Sequence, residues 1–249
     1  MNDTKPARRV LAVSGPDRAK FMQGLVSNDV NRAGEGLLWA AMLTPQGKYL
    51  ADFFLRETGE RLLLDVAEAL AGPLLQRLTM YRLRADVALE MTDLQVTRGT
   101  GAAPEDALAD PRHPALGWRR IGAGGGDDGT DWDAIRVAHV IPESGIELVP
   151  NETYILEAGF ERLNGVDFRK GCYVGQEVTA RMKHKTTLKK GLVQVEIEGA
   201  APVGTPITAA GKPAGTLYTQ SAGRAIAYLR FDRARGDLRA GDARLVWHG

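Results

Sequence analysis

Two spacings of apolar residues, one strand-like and one helix-like, divide the chain into elements. Val10 to Val13 is a short apolar run, the length of a strand. Ser14-Gly15-Pro16-Asp17 follows, with a cap-type residue, a proline for a first turn and an acid for the positive end of the dipole. A helix is expected to start there, with Phe21, Met22, Leu25 and Val26 on its buried face. Leu37 to Leu43 and Tyr49 to Arg56 are rich in apolar and aromatic residues and flank Thr44-Pro45-Gln46-Gly47-Lys48, a turn by composition. This predicts a hairpin, extended past Thr58-Gly59-Glu60 by a strand over Arg61 to Val66. A helical pattern runs from Ala67 to Leu83, disturbed by Gly72-Pro73, and strands are expected over Asp86 to Met91 and Leu94 to Arg98.

Residues 99–131 show little periodicity, and Gly122 to Gly129 reads as a flexible surface loop. A short helix is expected at Val149-Pro150-Asn151-Glu152, with Asn151 as its cap. Beyond Gly191 the pattern turns to β. Leu192 to Ile197 alternates, and glycines at 199, 204, 211, 223 and 241 separate short strand candidates, the spacing of a small barrel. Strands, a helix, more strands and then a barrel give an α+β fold, with a largely antiparallel sheet in its first part.

Composition narrows the partners more than the fold. Among 249 residues, Lys plus Arg total 32 and Asp plus Glu 31, so net charge singles out neither nucleic acid nor membrane as a partner. No run of about 18 apolar residues occurs, and the first residues lack the apolar core of a signal peptide. The single cysteine, Cys172, rules out an intramolecular disulfide and a self-contained four-cysteine cluster site. It fits a reducing compartment, and a cytoplasmic setting is expected.

Cys172 lies in Arg169-Lys-Gly-Cys-Tyr-Val-Gly-Gln-Glu-Val-Thr-Ala-Arg-Met-Lys-His-Lys185. Gly171 and Gly175 bracket the thiol, as in a tight turn, and Gln176 to Lys183 has good helix formers with no breaker. A nearby helix start and the cations Arg169 and Lys170 favour a reactive thiol. A small buried cysteine in a glycine-rich turn accounts for the same residues equally well. Arg181, Lys183, His184, Lys185, Lys189 and Lys190 form a basic cluster suited to a polyanion, or an ordinary solvated face.

The run Lys170-Gly171-Cys172-Tyr173-Val174-Gly175-Gln176-Glu177, followed by Ala180-Arg181, resembles the signature of the YgfZ family of folate-binding proteins. That family includes factors that help iron–sulfur enzymes mature and is related in fold to the aminomethyltransferase (T-protein) of the glycine cleavage system. Ser14 to Val30 is similar to the family's opening segment. Trp132, Arg136 and Leu163 to Phe168 match further along, while Ala51-Asp52 keeps half of an acidic pair and Ala138 stands in place of an expected glutamate.

The resemblance implies an aminomethyltransferase-like fold, with a folate-binding α+β region over residues 1–190 and a C-terminal β-barrel over 191–249. It implies tetrahydrofolate as cofactor, with or without a polyglutamate tail, contacted by Asp52, Trp132, Arg136, Lys170, Tyr173, Gln176, Glu177 and Arg181. Cys172 would be the functional thiol. The implied role is an accessory protein for maturation or repair of iron–sulfur enzymes, with client enzymes such as tRNA methylthiotransferases. One-carbon transfer is the alternative, weakened by Ala51 and Ala138.

Overall fold

A computed structural model describes residues 7–185 and 187–249. The chain forms two compact units that interleave in sequence. One draws on the chain up to Thr130, on Pro150–Glu152 and on Glu161–Val178; the other comprises Asp131–Val149, Thr153–Phe160 and Thr179–Gly249.

The first unit opens with β1 (Arg8–Ser14) and α1 (Arg18–Gln23), whose N-terminal flanking residue is Asp17. Then come β2 (Leu38–Leu43), β3 (Tyr49–Glu57), β4 (Arg61–Ala67), α2 (Glu68–Arg82) and β5 (Ala88–Met91). These strands form one antiparallel sheet in the order β2-β3-β4-β1-β5. The expected hairpin is present, with Leu38 opposite Leu55 and Leu43 opposite Tyr49. The helix also runs through Gly72-Pro73; both residues are exposed, so the backbone carbonyl that loses its donor can turn to water.

The apolar run in β1 has a simple cause, which is burial on both faces. Leu11 and Val13 pack with Met22 of α1 and Leu74 and Leu78 of α2, while Val10 and Ala12 pack with Leu63, Val96 and Ile121. The second contact comes from a small sheet of β6 (Gln95–Gly99), β7 (Leu108–Ala109), β8 (Trp118–Gly122) and β9 (Gly126–Asp127), ordered β7-β8-β6-β9. Of these only β6 was expected, as a strand over Leu94 to Arg98; β7, β8 and β9 lie in residues 99–131, which show little periodicity. β9 has two residues, one of them Gly126, and it pairs in parallel with Thr97 and Arg98 of β6. Two residues cannot show an alternation.

The second unit holds α3 (Trp132–His139) and a closed barrel. Between them, α4 (Gln176–Lys185) carries the chain out of the cysteine motif. The barrel strands are β10 (Lys190–Glu198), β11 (Pro206–Ala209), β12 (Lys212–Ser221), β13 (Arg224–Arg230), β14 (Leu238–Ala240) and β15 (Ala243–Val246). They close in the order β10-β13-β12-β11-β14-β15 around Val195, Ile207, Leu217, Leu229 and Leu245. Closure leaves no free sheet edge. No helix forms at Val149 to Glu152. Asn151 has φ +66 and sits in a turn, whereas a helix N-cap needs an extended backbone.

Candidate functional site

The cysteine motif is fastened to the opening segment of the chain, far away in sequence. Ser27 Oγ donates to the Gly165 carbonyl at 2.6 Å, and Asn28 Nδ2 donates to the carbonyls of Asn164 and Trp39, each at 2.8 Å. Backbone bonds continue the seam, from the Asp167 amide to the Ser27 carbonyl and from the Val174 amide to the Gly24 carbonyl. Ser27 and Asn28 are buried, so each of these bonds replaces water that is no longer available. Ser27, Asn28 and Gln23 were not among the expected site residues. The signal that points to them is the similarity of Ser14 to Val30 to the same family.

Lys170 completes the seam. Its ammonium donates to the Gln23 carbonyl at 2.8 Å and to the Val26 carbonyl at 2.5 Å, just past the C-terminal end of α1, where carbonyls lack helical partners. It also stands 4.8 Å from the centre of the Tyr173 ring. Burial lowers its pKa to about 8, against the opposing pull of Asp29 and Asp167. Lys170 and Tyr173 are both 7% exposed, while Gly171 and Cys172 between them are exposed. The thiol is thus offered to solvent between two buried anchors, and the reading of Cys172 as a packed core residue is excluded.

A third segment fixes the far side of the motif. Gly175 has φ +84, and a Cβ there would lie 2.6 Å from the Thr44 carbonyl and 2.9 Å from Leu43 Cβ. In the facing turn, Gly47 has φ +75, and a Cβ there would lie 2.8 Å from Val178 Cβ. Only glycine suits either place. After Gly175, α4 carries Gln176 half-buried, Glu177 and Arg181 exposed, and Lys183, His184 and Lys185 exposed in its last turn. Cations at that end also complement the helix dipole.

Asp52 lies on the sheet face that carries Trp39 and Phe54, away from the helices. It is buried, not solvent-facing: Trp39 Nε1 donates to it at 2.9 Å and the Tyr49 hydroxyl at 2.7 Å. Segment 108–122 covers part of this face. Arg119 lies 4.0 Å and Arg112 4.8 Å from the Phe54 ring centre, and Arg112 lies 5.6 Å from the Trp39 ring centre. Asp110 pairs with Arg112 at 2.9 Å and Arg119 at 2.8 Å, and Asp65 with Arg119 at 3.0 Å and Arg8 at 2.5 Å. Burial pushes the Asp110 carboxyl up, and the two guanidiniums outweigh it, holding its pKa well below the usual range.

In the barrel unit, Trp132 and Arg136 are 5% and 4% exposed. Arg136 donates to the Ile141 carbonyl, to Asp133, to Glu147 and to Thr219 Oγ1. Four of its five N–H donors are therefore engaged within its own unit. Glu147 also accepts from Thr219 Oγ1 at 2.6 Å and from the Glu143 amide at 2.9 Å. The guanidinium of Arg136, expected to contact the cofactor, is occupied by the protein's own carboxylates. Asp52, Lys170, Tyr173, Gln176 and Glu177 belong to the first unit, and Trp132, Arg136 and Arg181 to the second.

Known proteins share both the fold and the sequence. The family description "CAF17, C-terminal beta-barrel domain" matches residues 189–248. The glycine cleavage system aminomethyltransferase T from Bartonella henselae superposes with a TM-score of 0.74, covering 96% of this chain and 81% of its own, at 14% identity. The expected aminomethyltransferase-like fold with a C-terminal β-barrel is therefore present. The iron–sulfur cluster assembly factor IBA57, mitochondrial, of Homo sapiens is 30% identical, over 93% of this chain and 78% of its own. The chain belongs to the IBA57 family of iron–sulfur cluster assembly factors. The Mus musculus protein of the same name is 29% identical over 93% of this chain.

The IBA57 homologue of Mycosarcoma maydis is 32% identical, and there the chain spans only 57% of the relative's length. IBA57, and not YgfZ, is the name these relatives carry, so the motif resemblance gave a related family. The cytoplasmic expectation is corrected as well, because the human, mouse and fungal relatives are mitochondrial proteins. One free cysteine suits any reducing compartment and could not distinguish among them.

Proposed function

We propose that this protein acts in the maturation or repair of iron–sulfur enzymes, with Cys172 as its functional thiol. The observation that carries the reading is the exposed thiol between two buried anchors, in a chain of the IBA57 family. One thiol cannot hold a cluster alone, so Cys172 would act together with ligands supplied by another molecule. Client enzymes of the tRNA methylthiotransferase type belong to this proposal.

Tetrahydrofolate is the cofactor we propose. The fit is uneven across the residues expected to hold it. Arg181, Lys183 and Lys185 are exposed on α4, and Lys189 follows, a cation set suited to a glutamate tail. Lys170 and Arg136 are each committed inside their own unit, and in this reading neither touches the ligand. Asp52 is likewise committed, to Trp39 and Tyr49, and Trp132 and Tyr173 are buried within their own units, so the ring would fall to Gln176 and Glu177 at the start of α4. The bound cofactor would supply a one-carbon carrier.

The test has two arms. The pure protein is titrated with tetrahydrofolate and assayed for amine-dependent one-carbon transfer. It is then expressed in cells lacking their own IBA57-type factor, and iron–sulfur enzyme activity is measured. Binding and rescue without transfer support the reading. Transfer activity would favour the aminomethyltransferase alternative, and failure to rescue would remove the iron–sulfur role. Replacing Lys183, Lys185 and Lys189 with Gln should weaken polyglutamyl folate more than monoglutamyl folate, with a difference that shrinks as salt rises. Equal losses would take the tail off α4.

A further inference from the structure

The C-terminal end of α2 is a surface that its own unit leaves uncovered. From Ala69 to Ala85 there is no acidic residue, while Arg77, Arg82 and Arg84 fall in this stretch. Among the described residues none of these three arginines makes an ion pair. Met80 is 70% exposed and Leu83 88%. The helix has already buried its inward face through Ala71, Leu74 and Leu78, so Met80 and Leu83 are surplus to that core.

Leu83 adds a backbone observation. It has φ +44 and ψ −104, a conformation that a leucine adopts only at a cost. Glycine is the usual residue where a helix ends with positive φ. A large apolar side chain held there in water gains nothing inside the fold. Arg82 alone can be explained by the helix dipole, but that explanation reaches neither Met80 and Leu83 nor the other two arginines.

We propose that the end of α2 is a docking surface for an acidic segment of a partner protein that also carries apolar side chains. Met80 and Leu83 take the apolar contacts, and Arg77, Arg82 and Arg84 face the carboxylates. Met, Leu and Arg together suit a protein interface, where arginine and methionine are enriched. A bilayer is disfavoured. A lipid-binding helix lays a whole apolar face on the membrane, whereas the apolar face of α2 is already buried in the sheet. With a chain net charge of +1, attraction here comes from the local arginines and not from the protein as a whole.

The proposal is tested with the full chain, isotope-labelled and titrated with a short amphipathic peptide of Glu, Leu and Ala. Amide shifts should centre on residues 77–84 and weaken with salt. Arg82→Gln with Arg84→Gln should reduce affinity about tenfold. Leu83→Gly separates docking from folding, because it relieves the backbone and should fold at least as well yet bind more weakly. The proposal is overturned if no shifts appear at 77–84 or if a peptide with Lys in place of Glu binds equally. Preference for phosphatidylglycerol vesicles over the peptide would overturn it in favour of a membrane.

Discussion

Lys170 and Arg136 are both buried cations in segments that match a known family, yet they do opposite things. Lys170 bonds to main-chain carbonyls of the 23–26 segment and leaves the next two residues, Gly171 and Cys172, in solvent. Arg136 bonds to carboxylates, a carbonyl and a hydroxyl, tying α3, the 141–147 segment and β12 into one closed network. The first arrangement presents a neighbour; the second seals a core. The partner decides which. Carbonyls of a loop hold the Lys170 ammonium directly, with Asp29 and Asp167 acting on it only through space, whereas a buried carboxylate needs its cation for its own stability.

The largest effect that could break this comparison is at Arg136. Arg136→Ala would leave Glu147 buried without its countercharge, at a cost of about 3–5 kcal/mol. Denaturant unfolding of wild type and variant measures it. Glu147→Ala alone should cost a similar amount, and the double variant less than the sum, because the two share one network. A loss near zero would mean that Arg136 is not structurally committed and is available to a ligand.

Lys170→Met should cost less, about 1.5–3 kcal/mol, the range for hydrogen bonds to a charged group. Its more specific consequence is local. The Val174 amide, bonded to the Gly24 carbonyl, should exchange faster with solvent, and iodoacetamide should label Cys172 at a changed rate. If Val174 protection and Cys172 labelling both match wild type, Lys170 does not set the turn.

Most of the architecture was legible because it rests on periods. The β1 run, the β2–β3 hairpin, α2, α4 and the barrel all follow from spacing and turn residues. Of the small sheet only β6 was legible; β7 and β9 stayed hidden because they have two residues each. The site was legible as a motif and illegible as a set of contacts. Lys170 and Arg136 match family positions, and only coordinates reveal that one donates to carbonyls and the other to Glu147. Asp110, Arg112 and Arg119 lay in a stretch without periodicity, where nothing marked them as buried.

That hidden cluster offers a third, smaller test, since it shares the saturated character of Arg136 but sits in the unit of Lys170. The folded-state pKa of Asp110 is held below its unfolded value of about 3.9. Its stabilising contribution is therefore complete above that value and lost as pH falls below it. The slope should approach about 1.4 kcal/mol per pH unit for this one group. Asp110→Asn should be less stable at neutral pH and should flatten the acid limb of the stability curve. An unchanged acid limb would mean that Asp110 is not the group that titrates.

The smallest expected effect on stability is at Cys172, and it is the sharpest test of what the exposed turn is for. Its side chain is exposed, so serine there needs no buried partner and meets water as readily as the thiol. Cys172→Ser should change unfolding free energy by no more than about 0.5 kcal/mol, the usual range at a surface position. The anchors Lys170 and Tyr173 are untouched, so Val174 protection should also stay at the wild-type level. Function should respond differently, because a hydroxyl neither ligates iron as a thiolate does nor attacks as a thiolate does. The variant should fold, match wild type in the tetrahydrofolate titration, and fail to restore iron–sulfur enzyme activity in cells lacking their own factor. Full rescue by the serine variant would leave the Lys170 anchor presenting a residue with no chemical task, and the difference between the two buried cations would then be one of packing alone.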